Sequence, residues 1–399
     1  MNEEILRHLD KLDLDIRKTK DARFMDQKVT PDVLCIIADC ILQFIGDDGD
    51  KKFTTKDIWD SPYANENIKD IFNKPDVLNA NASSEYDKFF AQPLKMLAYS
   101  RVLKCSKDGS RNIFTIENKE LLEFISVKEK NALTFLILYL EQVLRDSGVW
   151  DMFENFFTKN NKNNFNLLKK SYEDFIIQNT PINGKTEVRR IFTKVINPLS
   201  YSRGLHGTKG GFFSRDVIGY DELMYNRKNW RDVIKLRGET RQDYETRAKQ
   251  EVEKTRKAFV KFTIEKAKRL IRFRYNSISE VNDEFSNGQA TQVHHIFPKV
   301  DFPQIESYLE NLILLTATQH STKAHPNNNT REISKDYQLV CLLSKNISVK
   351  DSLLKNDGFY SKEDFVFVLN EGIKPVNFFN VRESFEDIEM QLSREYHQS

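Results

Sequence analysis

Four of the seven histidines in this 399-residue chain, His294, His295, His320 and His325, fall within 32 residues, a window in which uniform scatter would place ~0.6 of one. They lie in the segment TQVHHIFPKVDFPQIESYLENLILLTATQHSTKAHPNNNT. Imidazole does two kinds of chemistry near neutral pH. Its ordinary pKa near 6.5 lets it take up and release protons, and its neutral form binds divalent ions. An adjacent pair with two more histidines further along can supply both a proton acceptor and a ligand set. Unrelated packing and turn histidines are the alternative.

The elements that would position these side chains follow from local composition. QVHHIFPK is β-branched and aromatic like a strand, ENLILLT is a second strand, and ATQHSTKAH can start a helix at Thr316 or Thr318 and must end by Pro326. Alternation along the first strand sends His294 and His295 to opposite faces. In a continuous α-helix, His325 would lie about 140° off the face of His320. Pro326 disfavours helical geometry at His325, however, so the chain can swing that ring inward, and His325 stays open as either a ligand or a surface histidine.

His294, His295 and Pro298, then Asn311, then His320 resemble, in order and spacing, the HNH nuclease family with its ββα-metal fold, over about residues 290–326. The double His, the Asn and the spacing look most like the His-rich colicin DNases of that family. The resemblance implies that His295 is the general base, that His294 and His320 hold a divalent ion with His325 as a further candidate, and that Asn311 ties the loop between the strands and orients His295 through a backbone contact. It also implies a divalent cofactor, Mg²⁺ first, with Mn²⁺ or another transition ion as a substitute. Position 324, where the colicin pattern has a further ligand, is Ala, and the CxxC zinc pairs that often flank the family's core are missing. A second nuclease-like pattern, Pro75-Asp76 with Glu117-Asn118-Lys119, mimics PD-(D/E)xK, but it is so degenerate that Glu117 and Lys119 are read as the end of a hairpin strand.

Charge is segregated. The net charge is +2, yet Gly184 to Ile278 carries 24 Lys or Arg against 11 Asp or Glu. Such a balance predicts a polyanionic partner, because Lys and Arg release counterions from phosphates. Within it, GLHGTKGG and the surrounding Arg, Tyr, Phe and Trp230 suit close backbone approach and stacking. Lys254 to Arg274 is a helical run of nine basic residues and one acid with an apolar side. The candidate DNA contacts are Arg189, Arg190, Lys194, Arg203, Lys209, Arg215, Arg227, Lys228, Arg231, Arg269 and Arg272, joined by Lys299 and Lys323 beside the histidines.

Elsewhere, Thr30-Pro31 starts a helix, FTTKDIWDS carries a second cap, a helix surrounds Pro93, and RVLKC with IFTIE forms a hairpin about Asp108-Gly109. Helices followed by a hairpin resemble a winged helix-turn-helix. Val127 to Phe157 is expected to form one or two buried connecting helices, and KNNKNNFN at 159–166 is expected to break the chain at a domain boundary.

The expected fold is therefore mixed and mostly α. It divides into a winged-helix-like module (1–126), a helical connector (127–183), a basic DNA-binding region (184–278) and an HNH nuclease domain with trailing helices (279–399). The expected protein is a metal-dependent endonuclease acting on double-stranded DNA, most like a type II restriction enzyme. The alternatives are a homing or mobile-element nuclease and a DNA-binding regulator with a nuclease remnant. No membrane span and no signal peptide are expected, the compartment is cytoplasmic, the four cysteines are free, and a homodimer on DNA is compatible with the sequence.

Overall fold

A computed structural model of the chain describes residues 1–75, 77–79, 82–225, 235–325 and 333–397. The chain is mostly helical, at 61%, and the described strands form three two-stranded antiparallel pairs. It divides into two compact units, Met1–Arg256 and Lys257–Ser399. No helix among the described residues is long and apolar enough to cross a membrane.

The first unit runs α1 (Asn2–Leu9), α2 (Ile16–Thr19), α3 (Pro31–Ile45), α4 (Thr55–Trp59), α5 (Pro62–Phe72), α6 (Ala82–Tyr99), then the hairpin β1 (Leu103–Asp108) and β2 (Arg111–Ile116). After it come α7 (Lys119–Val127), α8 (Glu129–Asp146), α9 (Trp150–Thr158), α10 (Lys162–Asn179), α11 (Lys185–Tyr201), the hairpin β3 (His206–Lys209) and β4 (Phe212–Val217), and α12 (Tyr220–Leu223). α3 is apolar on nearly every side, which suits a helix buried in a core, and it packs against α7 and α8. Its two buried carboxylates have partners: Tyr63 Oη donates to Asp39 at 2.6 Å and Tyr225 N to Asp32 at 3.0 Å.

Local signals place most of these elements. Thr54 and Asp57 form a reciprocal capping box at the start of α4. Thr30 occupies the N-cap position of α3, but its hydroxyl donates to Asp32 at 2.6 Å and does not cap the backbone. The expected connecting segment is two helices, α8 and α9, interrupted at Gly148, whose φ is +67°. KNNKNNFN does not separate domains. Asn161 accepts from Asn164 N at 3.0 Å and caps α10, so this polar run starts a helix inside the first unit.

α13 (Arg241–Tyr275) contains the expected basic helix, and the division between units falls within it. Residues 1–126 and 127–183 thus share one unit, while 257–278 belong with the C-terminal part. The second unit continues with β5 (Ala290–His295) paired to β6 (Leu312–Thr316), then α14 (Lys335–Lys355), α15 (Lys362–Ile373) and α16 (Phe385–His397). All five residues of β6 are buried. Glu280 extends this pair, donating its N–H to Leu314 O and accepting Leu314 N–H at its carboxylate, each at 2.9 Å. Its other carboxylate oxygen meets the Lys345 ammonium at 2.5 Å, with both side chains fully buried.

Candidate metal centre and its base

His294 and His295 end β5 opposite Ile313 and Leu312 of β6. After β6 the chain turns at Thr316, which forms a T-x-x-Q capping box. Thr316 Oγ1 accepts from Gln319 N at 3.1 Å, and Gln319 Oε1 accepts from Thr316 N at 2.9 Å. Gln319 is fully buried, and its remaining polar capacity is also used: Oε1 accepts from Ser279 Oγ at 2.6 Å, while Nε2 donates to Val281 O at 3.0 Å and Asp283 Oδ1 at 2.8 Å. The first turn of the helix, and His320 with it, is held at a defined place.

From Gln319 to Ala324 the helix is wound as a π-turn. A π-turn closes hydrogen bonds between residues five apart, and here His325 N donates to His320 O at 3.1 Å. The 140° offset expected for an α-helix therefore does not arise, and His325 turns back beside His320. The rings of His294, His320 and His325 lie 5.3, 5.0 and 4.8 Å apart, centroid to centroid. One nitrogen from each lies within 4.8 Å of the others.

The electrostatics favour neutral, ligating imidazoles. Burial, followed by repulsion from His320 and His325, pushes His294 down to about 3. His320 is lowered as well, by burial first and then by His325. Both rings stay deprotonated below the ordinary histidine pKa, so protons compete weakly for their lone pairs. An ion bonded to nitrogen at about 2.0–2.1 Å keeps its ligand atoms roughly 3.4 Å apart. Three donors within 4.8 Å can close on such an ion by small ring rotations. The residues fit a divalent metal.

His295 is set apart from this cluster. Its Nε2 lies 3.1 Å from Glu306 O, which makes Nε2–H the donor and leaves the Nδ1 lone pair available. Burial lowers its pKa, the bond to Glu306 raises it, and the nearby Lys268 and Lys299 ammonium groups lower it. The loop that offers this carbonyl is tied by Asn311, which is fully buried. Asn311 Oδ1 accepts from Phe297 N at 2.9 Å, and Nδ2 donates to Phe297 O at 3.0 Å and Ile305 O at 3.2 Å. Asn311→Ala is expected to destabilise the protein by about 2–4 kcal/mol, because several buried backbone groups lose their partner. A urea melt reads this as a lower midpoint at unchanged slope, and a parental midpoint would contradict it.

The expected DNA contacts are distributed unevenly. Arg190, Arg215 and Lys299 are exposed. Arg272 is exposed too, with Nε donating to Thr291 O at 3.2 Å beside β5. Arg269 is half-buried. Arg189 pairs with Glu173 at 2.6 Å, Lys209 with Glu222 at 3.2 Å and Lys323 with Glu284 at 2.9 Å. Two further candidates are engaged within the fold. Arg203 joins Glu141 at 2.6 Å and covers the Trp150 and Phe157 rings, so its guanidinium fastens α11 to α8 and α9. Lys194 is half-buried, and desolvation lowers its pKa despite the pull of Asp32 and Tyr225. Arg227, Lys228, Arg231 and Trp230 lie outside the described residues.

In the competing pattern, Glu117 pairs with Arg101 and Lys119 with Glu123, each at 3.6 Å on the surface, and Asp76 lies outside the described residues. The sequence reading missed Gln319, Asp283, Lys268 and the Glu306 carbonyl. Of these only Gln319 carried a local signal, the T-x-x-Q spacing. Comparison of the chain with family models, curated proteins and solved structures finds no match.

Proposed function

We propose that this protein is a metal-dependent endonuclease that hydrolyses phosphodiester bonds of double-stranded DNA, of the type II restriction kind, on a ββα-metal core. The observation that carries this reading is the pairing of three convergent imidazoles, His294, His320 and His325, with a fourth, His295, that keeps one ring nitrogen available. Held by His294, His320 and His325, a divalent ion would supply positive charge to the phosphate and the leaving 3′ oxygen. Among the described residues the ligand set is three imidazoles and no carboxylate, which suits a borderline transition ion such as Zn²⁺, Ni²⁺, Co²⁺ or Mn²⁺ better than Mg²⁺, which prefers oxygen.

His295 acts on water. Nδ1 takes the proton as the water oxygen attacks phosphorus, the P–O3′ bond breaks, and the 3′ oxygen takes a proton from solvent. The Glu306 carbonyl keeps the ring oriented throughout and stabilises the imidazolium that forms. Lys268 and Lys299 depress the proton affinity of His295 in the free protein. A bound phosphate offsets their charge and returns the base toward its working range.

The order of elements over residues 25–125, helices followed by the β1–β2 hairpin, supports a DNA-reading module in the same chain. Phe53, between α3 and α4, makes a single antiparallel bridge to Phe114 of β2, which ties the β1–β2 hairpin to the preceding helices and supports the winged-helix reading. The exposed Arg190, Arg215, Arg272 and Lys299 add phosphate contacts.

Plasmid and phage DNA incubated with the protein and each divalent ion in turn test the proposal. Discrete fragments with Mn²⁺, Co²⁺, Ni²⁺ or Zn²⁺ are expected, and excess chelator should abolish them. Undiminished cutting in chelator, or no cutting of any DNA with any ion, overturns it.

A further inference from the structure

The glycine-rich segment GLHGTKGG builds a rigid finger in the first unit. β3 and β4 are joined by Gly210-Gly211, whose φ values are +60° and +83°. Positive φ at both central residues is the type I′ hairpin turn, which glycine adopts without strain. Lys209 and Phe212 face each other across it.

The outer edge of β3 is bonded by two asparagine side chains as if by a third strand. Asn197 accepts from Thr208 N at 2.9 Å and donates to Thr208 O at 3.0 Å, and Asn160 accepts from His206 N at 3.0 Å and donates to His206 O at 3.1 Å. Gly207 lies so close that a Cβ would stand 2.6 Å from Asn197 Oδ1. The turn itself is held by Lys169, whose Nζ donates to Gly211 O at 2.7 Å.

Two phenylalanines follow the turn and meet different environments. Phe213 stacks on His206 with centroids 5.3 Å apart and packs edge-on against Phe156. Phe212, on the opposite face, is 76% exposed. Phe212 is thus a large apolar side chain held in water at the tip of a hairpin whose outer edge and turn are both tied, and its burial against a partner would be favourable. The hairpin itself exposes Lys209 and Arg215 against Asp216, Lys169 sits at its turn, and Glu222 pairs with Lys209 at 3.2 Å.

We propose that the β3–β4 hairpin enters a groove of duplex DNA and that Phe212 wedges between base pairs there. The inference rests on the DNA-binding part of the proposed function. Two narrow strands fit a groove, the glycines let the backbone approach the sugar-phosphate walls, and an apolar wedge unstacks a base step and untwists the duplex. Basic flanks favour DNA over an apolar protein partner.

The test uses the full chain, closed-circular plasmid and excess chelator, so that binding is read without cleavage. The plasmid is relaxed by a topoisomerase with the protein bound, then stripped of protein, and its linking number is read on a gel. The parental protein should lower the linking number. Phe212→Ala should bind roughly five- to hundredfold more weakly and, at saturation, leave the linking number unchanged, whereas Phe212→Leu should retain the effect. Phe212 is exposed, so these variants should fold, and circular dichroism checks this. A Phe212→Ala protein that unwinds plasmid like the parent, or a parent that binds without unwinding, overturns the wedge and leaves DNA binding standing. A parent that does not bind plasmid at all overturns the DNA reading itself.

Discussion

Replacing His295 with alanine is expected to slow plasmid cleavage by about 100- to 10,000-fold, the usual contribution of a positioned general base. DNA binding should change little, because the proposed mechanism has His295 act on water and assigns the phosphate contacts to other residues. The fold should also survive. The ring lies at the end of β5 and is bonded to one loop carbonyl, and it is not among the fully buried side chains. Single-turnover cleavage, set beside a gel shift in Ca²⁺, separates the two effects. Cleavage at the parental rate would remove His295 from the chemistry. His295→Gln keeps a donor for the Glu306 carbonyl but has no basic nitrogen, so it should fold like the parent and cut no better than the alanine variant.

The second large effect concerns the ion. Zn²⁺, Ni²⁺ or Co²⁺ at about a hundred times its dissociation constant should stabilise the protein by about 2.7 kcal/mol, since an ion that binds only the folded state shifts the unfolding equilibrium by mass action. That corresponds to a rise in melting temperature of roughly 5–10 °C for the second unit, Lys257–Ser399, melting by itself. Mg²⁺ should produce little of it. His320→Ala should reduce the rise sharply, because two remaining imidazoles make a poor site. This ring is half-exposed, so its loss should leave the ion-free melt near the parental value. Adding His325→Ala should remove the rise altogether. An unchanged rise in the double variant would show that the ion binds elsewhere, and no rise with any ion in the parent would remove the metal centre.

Elements in each of the two units were legible where the signal spans a few residues. The capping box at Thr54 and Asp57, the turn at Gly109, the two strands about the double histidine and the helix start at Thr316 each depend on neighbours within one turn of chain. The sequence also marked the histidines themselves, since their clustering is a matter of composition and spacing. It misplaced KNNKNNFN, because asparagine serves a linker and a helix cap equally well and only the packing of α10 within the first unit distinguishes them.

What tertiary structure decided is which side chains meet. A charge count cannot tell a phosphate contact from an internal ion pair, and the partner of Arg203 is Glu141, 62 residues away. Spacing alone left His325 open between ligand and surface. The π-turn, anchored by Gln319 against Ser279, Val281 and Asp283, about 40 residues earlier, brings His325 to His294 and His320. Likewise, alternation separates His294 from His295, but the free nitrogen of His295 depends on the Glu306 carbonyl and on Asn311 holding the loop that presents it. Local propensity is written in adjacent residues, whereas convergence of ligands, burial of a cation and choice of a tautomer depend on groups that folding alone makes neighbours.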